Sequence, residues 1–317
     1  MIKPTVSIYC LTYNHEKYIT DALEGFIRQK TNFPFEVIVH DDASTDNTAK
    51  IIKRYADKYP DIIKPIFQKE NQHSKGVSIT EKFIFPIIKG KYIALCEGDD
   101  YWIDENKLQI QYDFLENNSS YSGCVHNTYM LNVKKNTKKS MYHHNQDYDI
   151  FFSDVVEGNA KVFQTSSVMY RTEYAIDRPV FFHVNTKVGD YPLALYLTLD
   201  KKIRYINKTM SVYRIFTEGS WSSANLSTNN FINTLELDNK LLLSVNEFSH
   251  NKYNDVIKKT IKKNTYLINE YKKNYALLRT SEYKNIWKDS DINFRLHRWA
   301  FRYFGNLVVT LKKYLRR

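Results

Sequence analysis

Along the first 130 residues, short apolar runs alternate with stretches in which apolar side chains recur every three or four positions. TVSIYCL (5–11), FEVIVHDD (35–42), IIKPIFQ (62–68), KYIALC (91–96) and GCVHNTYMLNV (123–133) read as strands. Between them, KYITDALEGFIRQ (17–29) sets Ile19, Leu23, Phe26 and Ile27 on one helical side. STDNTAKIIKRYADKY (44–59) puts an Asp/Ser/Thr cluster ahead of a helix, with Asp46 in a capping place. GVSITEKFIFPII (76–88) and ENKLQIQYDFLEN (105–117) read as helical too. Alternation this regular predicts an α/β fold with a mostly parallel, Rossmann-like sheet flanked by helices.

After residue 134 the pattern breaks. KKNTKKSMYHHNQDYD is polar and without period, and is expected to be a flexible surface loop with His143 and His144 in solvent. Strands and a helix return from Val155 to about Tyr213, and from about Phe231 the chain turns Lys/Asn/Leu-rich and helical. The STNN stretch (227–230) supplies a boundary near 228. The expected organisation is one domain over 1–228, with halves 1–133 and 134–228, followed by a helical C-terminal region over 229–317.

Composition narrows the class. With 43% apolar residues in 317, the chain can bury a core. Cys10, Cys96 and Cys124 lack metal-ligand spacing and read as reduced, buried thiols. MIKPTVSIYC is too short and polar for a signal peptide, and no window reaches the roughly 18–20 apolar residues that span a bilayer. A cytoplasmic protein is therefore expected. The net charge of +11 asks for an anionic partner, and much of it gathers in the tail, NFRLHRWAFRYFGNLVVTLKKYLRR (293–317), which has no acid. Cations interleaved with Trp299, Tyr303 and Phe304 suit a peripheral helix on an anionic membrane surface, or one docking its apolar side on its own domain. No nucleic-acid recognition motif accompanies the charge, so nucleic acid is not an expected partner.

In open α/β sheets ligands bind beyond the carboxyl ends of the strands. Three predicted strands end in polar groups: Thr12, Tyr13 and Asn14; Asp41 and Asp42; and Glu97, Asp99 and Asp100. A carboxylate cluster beside a diphosphate needs a bridging cation, Mn²⁺ or Mg²⁺. The first glycine is Gly25, so no GxGxxG follows the first strand, and neither a GxxxxGK[ST] loop nor a GxSxG elbow occurs, which excludes dinucleotide-dehydrogenase, P-loop and nucleophile-elbow signatures.

VSIYCLTYNHEKYITDALEGFIRQ, FEVIVHDDASTDNTAKII, KGKYIALCEGDDYW with KLQIQ, SSVMYR and VGDYPLALYL together resemble the family 2 glycosyltransferases of the GT-A fold, over about residues 4–222. The resemblance implies sugar transfer from a nucleotide sugar, a UDP-sugar foremost, to a glycan, lipid-linked or protein-linked acceptor. It places Thr12, Tyr13 and Asn14 along the nucleotide, Asp42 at the base with Asp41 supporting it, and EGDD in the role of a DxD motif. Glu97 stands where the first Asp is usual, which leaves Asp99 and Asp100 for ribose, diphosphate and metal. Asp190 aligns with the general base of inverting transfer, with Gly189 where a second acid is frequent; Asp190 also suits a helix N-cap ahead of Pro192. Ser166 and Ser167 match an acceptor-side segment or are ordinary strand-edge serines; Arg214 belongs to a segment that reaches the diphosphate or closes a lid, Trp221 stacks on the acceptor or is a core aromatic, and Phe216 sits where His is frequent. Gly189 and Phe216 also admit a catalytically weak nucleotide-sugar or carbohydrate-binding partner of another transferase, a reading that turnover would separate from the enzyme.

Overall fold

In a computed structural model of the chain, residues 3–158, 162–184, 189–217 and 228–278 are described, with the isolated positions 280, 283, 286, 295 and 296. Trp221 and nearly all of the basic tail lie outside the described residues. The chain divides into two compact units. One comprises residues 1–132, 137–179 and 190–215; the other comprises 133–136, 180–189 and 216–317.

The first unit is built on a ten-stranded sheet in the order β3-β2-β1-β4-β9-β6-β10-β5, with β7 on β6 and β8 on β10. β1 (Val6–Thr12), β2 (Phe35–Asp41), β3 (Ile63–Phe67) and β4 (Tyr92–Leu95) run parallel. β1 and β4 are almost wholly buried, which is why they read as unbroken apolar runs. β9 (Met169–Arg171) joins antiparallel to β4 and to β6 (Tyr121–Asn132), and β6 pairs in parallel with β10 (Lys202–Ile215). Helix α1 (Ile19–Ile27) buries Ile19, Ala22, Leu23 and Phe26 at the spacing of one helical face. Helix α2 (Thr48–Lys58) buries Ile52 and Tyr55. The Asp46 carboxylate accepts the Thr48 amide at 2.9 Å, the capping role its position predicted. Helix α3 (Lys107–Asn117) packs on β6, and all three cysteines are buried and free.

Two stretches depart from the reading of the sequence. The expected helix over 76–88 is a π turn at Thr80–Ile84 followed by a 3₁₀ turn at Phe85–Ile87, since Pro86 denies an amide to any regular α-helix. The expected loop over 134–149 carries β7 (Thr137–Ser140), a hairpin arm on β6, and runs into β8 (Tyr148–Ile150), which pairs antiparallel with β10. Such short polar edge strands leave no apolar period to read. The EGDDYW segment adds a further pairing: β5 (Tyr101–Trp102) lies antiparallel to Val212 and Ser211 of β10. Helices α4 (Phe152–Gly158) and α5 (Asp190–Leu199) pack together in the same unit.

In the second unit, α6 (Thr228–Phe248) and α7 (Asn254–Tyr271) form a helical hairpin. Its turn uses His250 and Asn251 in left-handed backbone, and the Lys272–Glu236 ion pair ties the open end. No described helix is long and apolar enough to cross a membrane.

Candidate active site

The carboxyl ends of β1, β2 and β4 lie side by side because the register aligns Thr12 with Asp41 and Tyr9 with Leu95. Beyond β4 the chain enters Glu97-Gly98-Asp99-Asp100. The Gly98 amide donates to the Leu11 carbonyl at 2.9 Å, so this loop lies directly against the end of β1. A Cβ on Gly98 would stand 2.6 Å from Thr12 Oγ1 and 2.9 Å from His15 Nδ1. Only a glycine permits this approach. Gly98→Ala is expected to push the loop off β1, cost about 1–3 kcal/mol of stability by overpacking, and lower the melting temperature in a thermal scan.

Within the loop the two aspartates diverge. Asp100, expected as one of the metal-side acids, is turned inward and 1% exposed; its Oδ1 accepts the backbone amide of Arg214 at 2.8 Å. Burial, followed by the charge of Asp99, pushes its carboxyl well above the usual range. Asp99 is half-buried. Arg214, expected to reach the diphosphate or to close a lid, grips this loop. Its Nη1 donates to the Asp99 carbonyl at 2.8 Å, its Nη2 pairs with Asp21 of α1, and its guanidinium stacks 4.3 Å from the Tyr101 ring centroid. Behind the loop, Trp102 Nε1 donates to the Ser166 carbonyl at 2.8 Å, while the buried Lys107 ammonium sits 3.9 Å from the Trp102 ring and donates to Gln111. Burial alone lowers the Lys107 amine to about 7, against the partial support of Cys124 and Cys96.

At the other end of the site, Asp42 is buried and its two oxygens accept the amides of Gln72 (2.8 Å) and His73 (3.0 Å), fixing the loop after β3. Each oxygen keeps a second lone pair for a ligand. Asp41 holds the Ser44 hydroxyl and amide. Asn14 and Ala43 adopt left-handed backbone (φ 55° and 63°). Asn14 Oδ1 accepts the Thr45 amide, and the Asn14 amide reaches Ser44 Oγ, so the two loops are stitched together. Tyr13 is 43% exposed at the rim. Thr12 is buried, with an Oγ1 that has no partner among the described residues.

His15 was not singled out from sequence, although it follows directly on TYN. Its amide donates to Thr48 Oγ1, and its Nδ1 is buried without a described partner. Burial lowers its pKa against the pull of Asp99, Asp46 and Asp41, so a neutral imidazole borders the EGDD loop.

Asp190 opens α5, with Pro192 in the first turn. Its Oδ1 is buried and has no partner among the described residues. Burial raises its carboxyl to about 6, while the amides of Tyr191 and of Asp190 itself hold it down. Glu97 is pushed further, to about 8, by burial and then by the negative charges of Asp99 and Asp190. The site thus gathers acids whose mutual repulsion favours a cation or a proton between them. Among the described residues no three His, Cys, Asp or Glu side chains form a metal cage.

Ser166 and Ser167, expected on the acceptor side, are both fully buried. Their hydroxyls go to Ser211 (3.2 Å) and to the Gln164 carbonyl (2.6 Å), so they support the strands from inside and present nothing to solvent.

Comparison with known proteins bears on the family and the fold. The uncharacterized protein Rv1520 of Mycobacterium tuberculosis is 36% identical over 220 residues, 69% of this chain and 61% of that protein; the chain thus spans about three fifths of the length of the curated relatives it matches first. The UDP-Glc:alpha-D-GlcNAc-diphosphoundecaprenol beta-1,3-glucosyltransferase WfaP of Escherichia coli is 35% identical over 111 residues, 35% of this chain and 41% of WfaP. The crystal structure of S. aureus TarS 1–349 in complex with UDP superposes with a TM-score of 0.58 at 17% identity, covering 91% of this chain and 76% of that one, and so shares the fold. The model of glycosyl transferase family 2 matches residues 7–178, more than half of the chain, and the chain belongs to that family.

Proposed function

We propose that the protein is an inverting glycosyltransferase that moves a hexosyl group from a UDP-sugar to a hydroxyl of a glycan, lipid-linked or protein-linked acceptor in cell-surface glycan assembly. The observation that carries this reading is Asp190. A carboxyl at a helix N-terminus, held near 6 by burial, is ionised at neutral pH yet basic enough to accept a proton. The acceptor O–H bond breaks toward Asp190 as the oxygen bonds to the anomeric carbon. The bond from that carbon to the diphosphate breaks on the opposite face, and its electron pair leaves with the nucleoside diphosphate. WfaP, named for a UDP-Glc donor and a β-1,3 linkage, and the UDP complex of TarS support the choice of donor.

Asp99 would hold a divalent cation at the diphosphate, the place where Mg²⁺ or Mn²⁺ is commonly bound, with the Glu97 carboxyl on the ribose and diphosphate side. Burial first, and then the negative charges of Asp99 and Asp190, raise the Glu97 carboxyl, and a cation at Asp99 would offset the part that comes from charge. When bound, it neutralises the leaving diphosphate. Asp99 is assigned the metal side and Glu97 the ribose and diphosphate; Asp100 and Arg214 hold the loop that carries them. Thr12, Tyr13, Asn14, Asp41 and Asp42 are assigned to the nucleoside.

The test is hydrolysis and transfer from a panel of nucleotide sugars with Mn²⁺; no turnover of any UDP-sugar would refute the donor class. With the active donor, kcat/KM is expected to climb tenfold per pH unit below about 6 and to level off above it, since only the ionised Asp190 serves as base. A flat profile from pH 4.5 to 7 would remove Asp190 from that role.

A further inference from the structure

Tyr142, His144, Tyr148 and Tyr205 form an aromatic cluster that the reading above leaves unused. The sheet builds it: β8 pairs with β10 so that Tyr148 faces Tyr205, and their rings stack at 4.8 Å and 28°. His144 packs against both, 4.5 Å from Tyr148 and 5.0 Å from Tyr205, and its Nε2 lies 3.1 Å from the Tyr148 hydroxyl. It is therefore not merely solvated as the sequence suggested. Tyr142 lies nearly parallel to His144 (20°) at 6.2 Å. Its backbone is fixed by Asn127 of β6, whose side-chain amide donates to the Tyr142 carbonyl at 3.0 Å and whose Oδ1 accepts the Tyr142 amide at 3.2 Å. His144 is exposed and Tyr142 and Tyr148 are half-buried, so the cluster reaches the surface while Tyr205 backs it from within.

The Tyr142 end of this ledge lies close enough to Asp190 to feel its charge. Helix α5 runs back along β6 and turns tightly into β10, and near its far end the Ser122 hydroxyl donates to the Leu197 carbonyl. From Leu197 back to Asp190 the helix climbs about 10 Å, or about three strand residues counted up β6 from Ser122. That brings Asp190 to within about two residues of the level of Asn127, which holds Tyr142. The Tyr142 hydroxyl is buried and has no partner among the described residues, as is true of Asp190 Oδ1. Burial, then the charges of Tyr148, Tyr205 and Asp190, raise the Tyr142 pKa, so its hydroxyl stays protonated and can donate.

We propose that Tyr142, His144 and Tyr148 form the acceptor subsite, in which a pyranose packs its C–H face on the His144–Tyr148 ledge and takes a hydrogen bond from the Tyr142 hydroxyl, next to the sugar oxygen that Asp190 deprotonates. Aromatic rings that are apolar on the face and polar at the edge match the amphipathic faces of a pyranose, and a few convergent polar groups fix its orientation. The inference rests on the transferase reading and names the substrate class of that same site.

The test uses the full chain with methyl pyranosides of glucose, galactose, N-acetylglucosamine and N-acetylgalactosamine, with and without UDP and Mn²⁺. Saturation-transfer NMR reports which ring protons contact the protein, and calorimetry reports UDP binding. At least one pyranoside is expected to receive saturation on one ring face. The double variant His144→Ala/Tyr148→Ala should weaken that binding about fivefold or more and leave UDP affinity within about twofold of wild type. Tyr142→Phe, which keeps the ring, should retain the ring-face contact and bind the pyranoside more weakly. Absence of saturation in any pyranoside, or an unchanged response in the double variant, overturns the subsite. Failure of the wild type to bind UDP instead refutes the donor reading, and the arm without UDP then decides the ledge by itself.

Discussion

Asp190→Asn is expected to fold, to bind UDP with unchanged affinity, and to lose sugar transfer by about 10²–10⁴-fold, the usual worth of a general base. Asn is nearly isosteric and an equally good helix N-terminal residue, so α5 should keep its start. What disappears is the group that takes the proton. The substitution also removes one of the negative charges that hold the Glu97 proton, so the Glu97 carboxyl should titrate at lower pH in the variant. Single-turnover transfer from the active UDP-sugar measures the first effect, and isotope-edited NMR of the glutamate carboxyl measures the second. Transfer within about threefold of wild type would show that another group, or none, acts as the base.

Arg214→Met has the next largest expected effect, and on a different quantity. The substitution keeps an apolar stem against Tyr101 and Tyr18 and removes the guanidinium that binds the Asp99 carbonyl and Asp21. The hydrogen bond from a charged donor is worth about 1.5–3 kcal/mol. The pair with Asp21, whose side chain is 52% exposed, adds little. A total near 2–3 kcal/mol corresponds to a melting temperature lower by roughly 4–12 °C. Loosening the Asp99 backbone should also weaken Mn²⁺-dependent UDP binding by about tenfold, a displacement of about 1 Å being enough to matter at such a site. Asp21→Asn, the control, should shift melting by only about 1–3 °C. A melting curve for Arg214→Met that overlays wild type would mean the loop holds its shape without the clamp.

The part of this site that could be read in the sequence is the part set by local pattern. β1, β2 and β4 declare themselves as apolar runs, and a parallel sheet brings their polar ends together whatever else the chain does. The choice between Asp99 and Asp100 could not be read there, since the two are adjacent in one turn. What turns Asp100 inward is the backbone amide of Arg214, 114 positions later. The burial of Ser166 and Ser167 could not be read for a related reason. A serine pair before a strand looks like an accessible edge, and only the packing of β9 between β4 and β6 encloses it. His15 carried a signal, a titratable side chain in the first loop, but its closeness to Gly98 is a tertiary fact. The aromatic ledge was the least legible, because three of its four residues lie in a stretch whose polarity resembles a loop and whose strands form only by pairing with β6 and β10.

The borders of the sheet bear on how the protein behaves when crowded. β3, at one end of the strand order, reads IKPIF and places Pro65, which has no N–H, in mid-strand with Lys64 before it. β7, which pairs only with β6 among the described strands, reads TKKS and exposes Lys138 and Lys139. An incoming strand from another molecule would meet a missing donor at the first border and two adjacent cations at the second. Both features oppose edge-to-edge association and templated aggregation. Neither feature disturbs the inward side: β3 still pairs with β2 from Ile63 to Phe67 and buries Ile63 in the core beside the strand that carries Asp41.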